Sequence, residues 1–211
     1  MGDRTVPAHT GERLEDPMRT VDASSSRHLR VSTADLREAW RRFPVSTLLS
    51  TGFGAGLAPW APGTAGSAVG LAAAWLFSRT LTRNGESVAA GVGLLMSALV
   101  VSLVAIPLAD RTARALGAKD PGCIVIDEVA GQLLASAAVP FFAYPTEAAA
   151  GLAWLASFLG FRLFDVWKPG PIRRLQHLPG GLGIVIDDVL AGLLAFGTTA
   201  AAGWWLSRGA G

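Results

Sequence analysis

The sequence predicts an all-α integral membrane protein of about five apolar helices, with its acidic motifs clustered at the cytoplasmic side. Three observations lead there. Mean hydropathy is +0.41 with only 16% charged residues in 211, a balance ordinary for a bilayer protein and unusual for a soluble domain. Five apolar runs, Ser67 to Leu81, Ser87 to Ala109, Ile124 to Phe142, Glu147 to Val166 and Leu182 to Leu206, are judged against the ~20 residues that cross ~30 Å of hydrocarbon. The carboxylates in these runs sit near helix ends, where they escape the ~2.5 to 3.5 kcal/mol that an acid costs at a helix centre.

Residues 1–44 differ in kind from 45–211. The tail is charged and rich in Ser and Thr, with no apolar core of a secretory signal, and is expected to be disordered as far as Ser32. Ser32-Thr33-Ala34-Asp35 then opens a short amphipathic helix for the membrane surface, with Leu36, Trp40 and Phe43 on one side. The net charge of +2, without interleaved aromatic and basic residues, gives no support for nucleic acid as a partner. A lone Cys123 excludes an intramolecular disulfide and a Cys-rich zinc site.

Glycine, proline and small residues dominate Ser46 to Ser67, which indicates irregular backbone. Pro62-Gly63-Thr64 stands just ahead of the first apolar run, and free backbone N–H groups at a helix start attract an anion. The second apolar run is nearly free of charge until its end.

An internal echo links the third and fifth runs. Ile124 to Ala135 reads IVIDEVAGQLLA and Ile184 to Ala195 reads IVIDDVLAGLLA, so Asp127 matches Asp187 and Glu128 matches Asp188. Two parallel helices with acidic pairs at equal depth can present carboxylates to one or two divalent cations. Adjacent acids on a helix diverge by about 100°, so one of each pair can ligate while the other serves its surroundings.

Most of the remaining chemistry lies in Phe161 to Asp188. Arg162, Lys168, Arg173 and Arg174 supply positive charge, and Asp165, Asp187 and Asp188 supply carboxylates, across a Pro/Gly loop. This suits a phosphate ester held by cations beside a metal held by carboxylates. Taken alone, the same charges would equally serve as helix ends at the polar side of a bilayer.

With a cytoplasmic N-terminus and five crossings, the inside collects Arg37, Arg41, Arg42, Arg111, Arg114, Lys119, Lys168, Arg173 and Arg174, and the outside keeps Arg79, Arg83 and Arg208. The positive-inside rule favours this orientation. It also puts Thr64 and every acid named above toward the cytoplasmic helix ends.

Three stretches, TGFGAGLAPWAPGTAGS at Thr51 to Ser67, KDPGCIVIDEVAGQ at Lys119 to Gln132, and FRLFDVWKPGPIRR with LPGGLGIVIDDVLAG within Phe161 to Gly192, resemble the phosphatidylglycerophosphatase A family. The resemblance covers about Val45 to Leu206. It implies a Mg2+-dependent enzyme of the bacterial inner membrane that converts phosphatidylglycerophosphate to phosphatidylglycerol. The family's motif acids would fall on Asp127, Glu128, Asp165, Asp187 and Asp188 and its cations on Arg162, Lys168 and Arg173; the echoed acidic pairs make Asp127, Glu128, Asp187 and Asp188 the expected metal ligands, and the helix start makes Thr64 an expected phosphate contact.

Residue chemistry narrows the mechanism. A cysteine phosphatase needs Arg six positions after its nucleophile, where Cys123 has Val129. No DxD start of an aspartyl-phosphate enzyme is visible, and His177 alone cannot supply two-histidine chemistry. Water activated by Mg2+ is the simplest nucleophile left. The competing class is a small cation transporter or channel lined by intramembrane acids.

Overall fold

The computed structural model describes residues 31–82, 85–170, 172–175 and 178–208, with the side chains at 173 and 174 excepted. The expected disorder of the N-terminal tail, and its His9 and His28, fall outside the described residues. Among the described residues the structure is helical, with no strand: α1 (Thr33–Arg42), α2 (Pro44–Ser50), α3 (Pro62–Thr82), α4 (Ser87–Ala115), α5 (Ile126–Ser136), α6 (Glu147–Trp167), α7 (Ile172–Leu175) and α8 (Gly181–Arg208).

Local chemistry sets several of the helix starts. Ser32 caps α1 by accepting from the Asp35 N–H while the Asp35 carboxylate accepts from the Ser32 N–H, a reciprocal capping box. Thr146 caps α6 through the Ala149 N–H at 3.1 Å. Pro62 takes the first position of α3, where its missing N–H and fixed φ cost nothing. The Pro-Gly-Thr turn expected ahead of that helix is therefore its first turn.

α5 lies at the centre, packed on α3, α4, α6 and α8. At the α5–α8 crossing, backbone meets backbone: a Cβ at position 192 would stand 2.5 Å from the Gly131 carbonyl oxygen. α3 also approaches through small residues, since a Cβ at Gly66 would fall 2.6 Å from Val125 Cβ and one at Gly70 2.9 Å from Gln132 Cβ. Membrane bundles use small residues in this way to bring backbones together. The outer faces are apolar, as at Met96, Leu99, Leu103, Leu155, Leu159, Leu163 and Leu193. The interior keeps Ser67, Thr112, Gln132, Ser136, Ser157 and Thr199 buried.

The expected five apolar spans are corrected. Among the described residues three helices, α4, α6 and α8, are long and apolar enough to cross a membrane. α3 has the length, with 21 residues, but the Gly, Ser and Thr that fit it against α5 dilute its hydropathy. The expected run from Ile124 to Phe142 yields only the 11 residues of α5, about 16 Å of helix, followed by a 3-10 turn over Val139–Phe141. That turn carries Phe141 to Gly91 at the start of α4 and Phe142 to Gly203 near the end of α8. The α5 path thus runs along the protein interior without being one apolar helix.

Candidate active site

Acidic side chains converge where α5 begins. Val125, just before the helix, gives its N–H to the Ser50 carbonyl at 2.8 Å, and Ile124 and Ile126 are buried against α4 and α8. With the apolar residues anchored, Asp127 and Glu128 enter the first turn of α5 facing α8 and α6. Ligand oxygens of Asp127, Glu128 and Asp188 lie within 4.8 Å of one another. Asp127 is 7% exposed and Asp188 3%.

Several contacts make this cluster suited to a cation. Asp127, Glu128 and Asp188 bring three carboxylates together, and none of them forms an ion pair among the described residues. Asp127 Oδ1 and Glu128 Oε2 are buried with no partner among the described residues. Paired carboxyls in a water-poor interior persist only with a proton or cation between them, and unpartnered buried oxygens are costly. A set of hard oxygen donors fits a divalent ion of the Mg2+ or Ca2+ type.

Asp187 takes another direction. Its Oδ2 accepts from Lys168 Nζ, leaving it outside the three-carboxylate cluster. The sequence echo aligned Asp127 with Asp187, a spacing of 60, but in space Asp127 faces Asp188 as Gly131 faces Gly192. α5 and α8 pack one residue out of the register their sequences suggest.

Cations border the cluster. Arg162 Nη1 donates to Asp165 Oδ2 at 2.5 Å and to Ser67 Oγ at 3.3 Å. Lys168 ends α6 in the left-handed conformation, φ 45, which is uncommon for a residue with a side chain. Its ammonium reaches Asp187 and stands 4.0 Å from Asp165. At the start of α3, a Cβ on Gly63 would collide with Glu128 Oε1 and lie 3.3 Å from Arg162 Nη1.

Gly63 therefore touches the site, whereas Thr64 is exposed. The Thr64 and Ala65 N–H groups are given to the Ala61 carbonyl at 2.9 and 3.2 Å, so they are not open to an anion. The side chain of Arg173 and all of His177 lie outside the described residues. Cys123 is half-buried, and burial pushes its thiol pKa up, which agrees with its exclusion as a thiolate nucleophile.

Sequence reasoning missed two groups. Ser67 holds Arg162, and its one sign was a hydroxyl one turn after Gly63. Asp120, in the α4–α5 connection, lines a small recess with Gly180, Gly183 and Ile184 at the start of α8. It was legible as an acid ahead of a Pro-Gly turn.

The family model of phosphatidylglycerophosphatase A matches residues 48–202. This chain belongs to that family. It is 35% identical over 152 residues to the phosphatidylglycerophosphatase A of Escherichia coli K12, covering 71% of this chain and 78% of the relative. It is 36% identical over 163 residues to that of Haemophilus influenzae Rd, covering 75% and 89%. A Bacteroides thetaiotaomicron protein, named provisionally as a phosphatidylinositol-3-phosphatase, is 34% identical over 160 residues, covering 74% and 92%. No solved structure matches the chain.

Membership makes the chain a phosphoric monoester hydrolase. The family region contains α3 through most of α8, and with them each acid and cation of the cluster, while α1 lies outside it. The transporter reading has no support. Its acids would line a path, but here they meet at one end of the helices beside Arg162 and Lys168.

Proposed function

We propose that this chain hydrolyses the phosphomonoester of phosphatidylglycerophosphate to phosphatidylglycerol and phosphate, with Mg2+ held by Asp127, Glu128 and Asp188. The observation that carries the reading is the gathering of those three carboxylates beside Arg162. Mg2+ at that place would neutralise phosphoryl charge and lower the pKa of the attacking water.

The chain's own groups complete the chemistry. Asp165 and Ser67 hold Nη1 of Arg162, which leaves Nη2 and Nε for phosphate oxygens. Asp187 holds the Lys168 ammonium beside Asp165, adding positive charge beside the cluster where the departing glycerol oxygen would gain negative charge. Water oxygen bonds to phosphorus as the P–O bond to glycerol breaks, and the electron pair goes to the glycerol oxygen, which finally takes up the proton that water has lost. The proton lost by water is accepted by a carboxylate oxygen of the cluster, where Glu128 Oε2 has no other partner among the described residues.

Depth and orientation fit a lipid substrate in the bacterial inner membrane. Trp60, 87% exposed, precedes Gly63 by three residues, and Trp167, 62% exposed, follows Asp165 by two. Tryptophan favours the headgroup level, which supports a reacting phosphate at that depth. Arg37, Arg41 and Arg42 of α1, Arg114 at the end of α4 and Lys119 lie toward this same end of the chain's helices, so we assign it to the cytoplasm.

The test is phosphate release by the purified protein in detergent. Turnover of phosphatidylglycerophosphate that requires Mg2+ is expected. The Bacteroides relative favours a second reading, a phosphoinositide substrate. Turnover of phosphatidylinositol 3-phosphate in place of phosphatidylglycerophosphate would establish that reading and reject the first.

A further inference from the structure

A second polar recess lies at the opposite end of the protein. α3 and α6 run antiparallel: the start of α3 and the end of α6 meet at the carboxylate site, while the end of α3 and the start of α6 border a cavity of about 670 Å3. The 3-10 turn at Val139 and Pro140 closes another side of it. Glu147 on its wall begins α6 and Trp167, beside the carboxylate site, ends it 20 residues later, about 30 Å along the helix. A lipid whose phosphate reacts at Arg162 would have its own headgroup in the other leaflet from this recess.

The cavity wall carries both signs of charge. Arg79 from α3 and Glu147 from α6 line it, yet neither forms an ion pair among the described residues. The Arg79 guanidinium stacks on Trp75 at 5.1 Å, which fixes it at the rim. Ser78, Thr82, Ser87 and Thr146 add hydroxyls, and Trp75 and Trp154 add apolar wall. Tyr144 adds no charge: burial pushes its pKa up to about 12, and its hydroxyl donates to the Val139 carbonyl at 3.1 Å.

We propose that this recess is a binding site for a zwitterionic phospholipid of the opposite leaflet, with the lipid phosphate on Arg79 and its primary ammonium on Glu147. A purely anionic headgroup would satisfy Arg79 but bring negative charge to Glu147. A sugar headgroup would leave both charges unmatched. A cation and a carboxylate from two helices of one cavity, neither ion-paired among the described residues and with tryptophans beside them, answer to a headgroup that carries phosphate and ammonium together. The site is separate from the carboxylate cluster and independent of which phosphomonoester is cleaved there.

The experiment is thermal unfolding and native mass spectrometry of the full chain in detergent, with phosphatidylethanolamine, phosphatidylglycerol or phosphatidylcholine added. Phosphatidylethanolamine should bind about fivefold more tightly than the other two, the scale of one partly exposed ion pair. Glu147→Gln should abolish that preference and Arg79→Ala should weaken all three lipids alike, each leaving turnover at the carboxylate site unchanged. Arg208→Ala, whose arginine stacks on Trp204 outside the cavity, should keep it. Equal binding of all three lipids by the unaltered protein, tighter binding of phosphatidylglycerol, or a preference that survives Glu147→Gln would overturn the proposal. The comparison on the unaltered protein stands even if a variant fails to fold.

Discussion

Gly131 lies against Gly192, and that contact sets which carboxylates meet. With no side chain on either residue, α5 and α8 close to backbone contact, and one helical turn toward their starts Asp127 comes opposite Asp188. The neighbouring Asp187 is turned to Lys168 instead.

The two members of the α8 pair should therefore respond differently. Asp127→Asn and Asp188→Asn are expected to abolish turnover and weaken Mn2+ binding, read by the paramagnetic signal of bound Mn2+. Asp187→Asn should cost roughly 10- to 100-fold in turnover, as for residues that support a site from outside it, and should retain Mn2+. Loss of Mn2+ in Asp187→Asn with retention in Asp188→Asn would reverse the assignment.

Enlarging the crossing tests its geometry. Gly192→Ala forces a methyl toward the Gly131 carbonyl, and overpacking of this kind costs about 1–3 kcal/mol. Chemical unfolding in micelles should show that loss, accompanied by reduced turnover as Asp127 and Asp188 separate. Normal stability would mean that α5 and α8 do not approach as described.

Arg162→Lys should lower turnover of the phosphate ester without changing metal affinity. A lysine keeps the charge but loses the planar fork that reaches Ser67, Asp165 and phosphate at once. Full turnover in this variant would show that only charge is needed there.

Sidedness can be read by labelling single cysteines in a Cys123→Ser background. Pro179→Cys stands at the carboxylate end and Ala143→Cys at the cavity end, both exposed. An impermeant thiol reagent should reach position 143 from the periplasm in intact cells stripped of their outer barrier, and position 179 only after the cytoplasm is opened. The reverse pattern would invert the orientation, and labelling of both from one side would contradict opposite ends.

Much of the site could be read along the chain because its chemistry is local in sequence. Asp127 with Glu128 and Asp187 with Asp188 stand out as acids inside apolar runs, and Arg162, Asp165 and Lys168 recur at helical spacing. The one-residue offset between α5 and α8 was hidden, because two glycines in contact across helices leave no periodic trace. The length of α5 was hidden as well. Pro140 and the small residues before it keep the run apolar, and hydropathy does not register where the helix gives way to a 3-10 turn. Gly63 was eclipsed by Thr64, read as part of a helix start whose free N–H groups attract an anion, although it is the absence of a side chain at 63 that admits Glu128 and Arg162.

Ser67 gives the site a mechanical property. Its hydroxyl donates to the Gly63 carbonyl at 2.9 Å and accepts from Arg162 at 3.3 Å, so one oxygen ties α6 to the first turn of α3. Any displacement of the guanidinium toward an arriving phosphate pulls on that turn, and through it on Trp60 three residues away. If that pull reaches residue 60, substrate should change the emission of Trp60, read in a variant whose other six tryptophans are replaced by Phe.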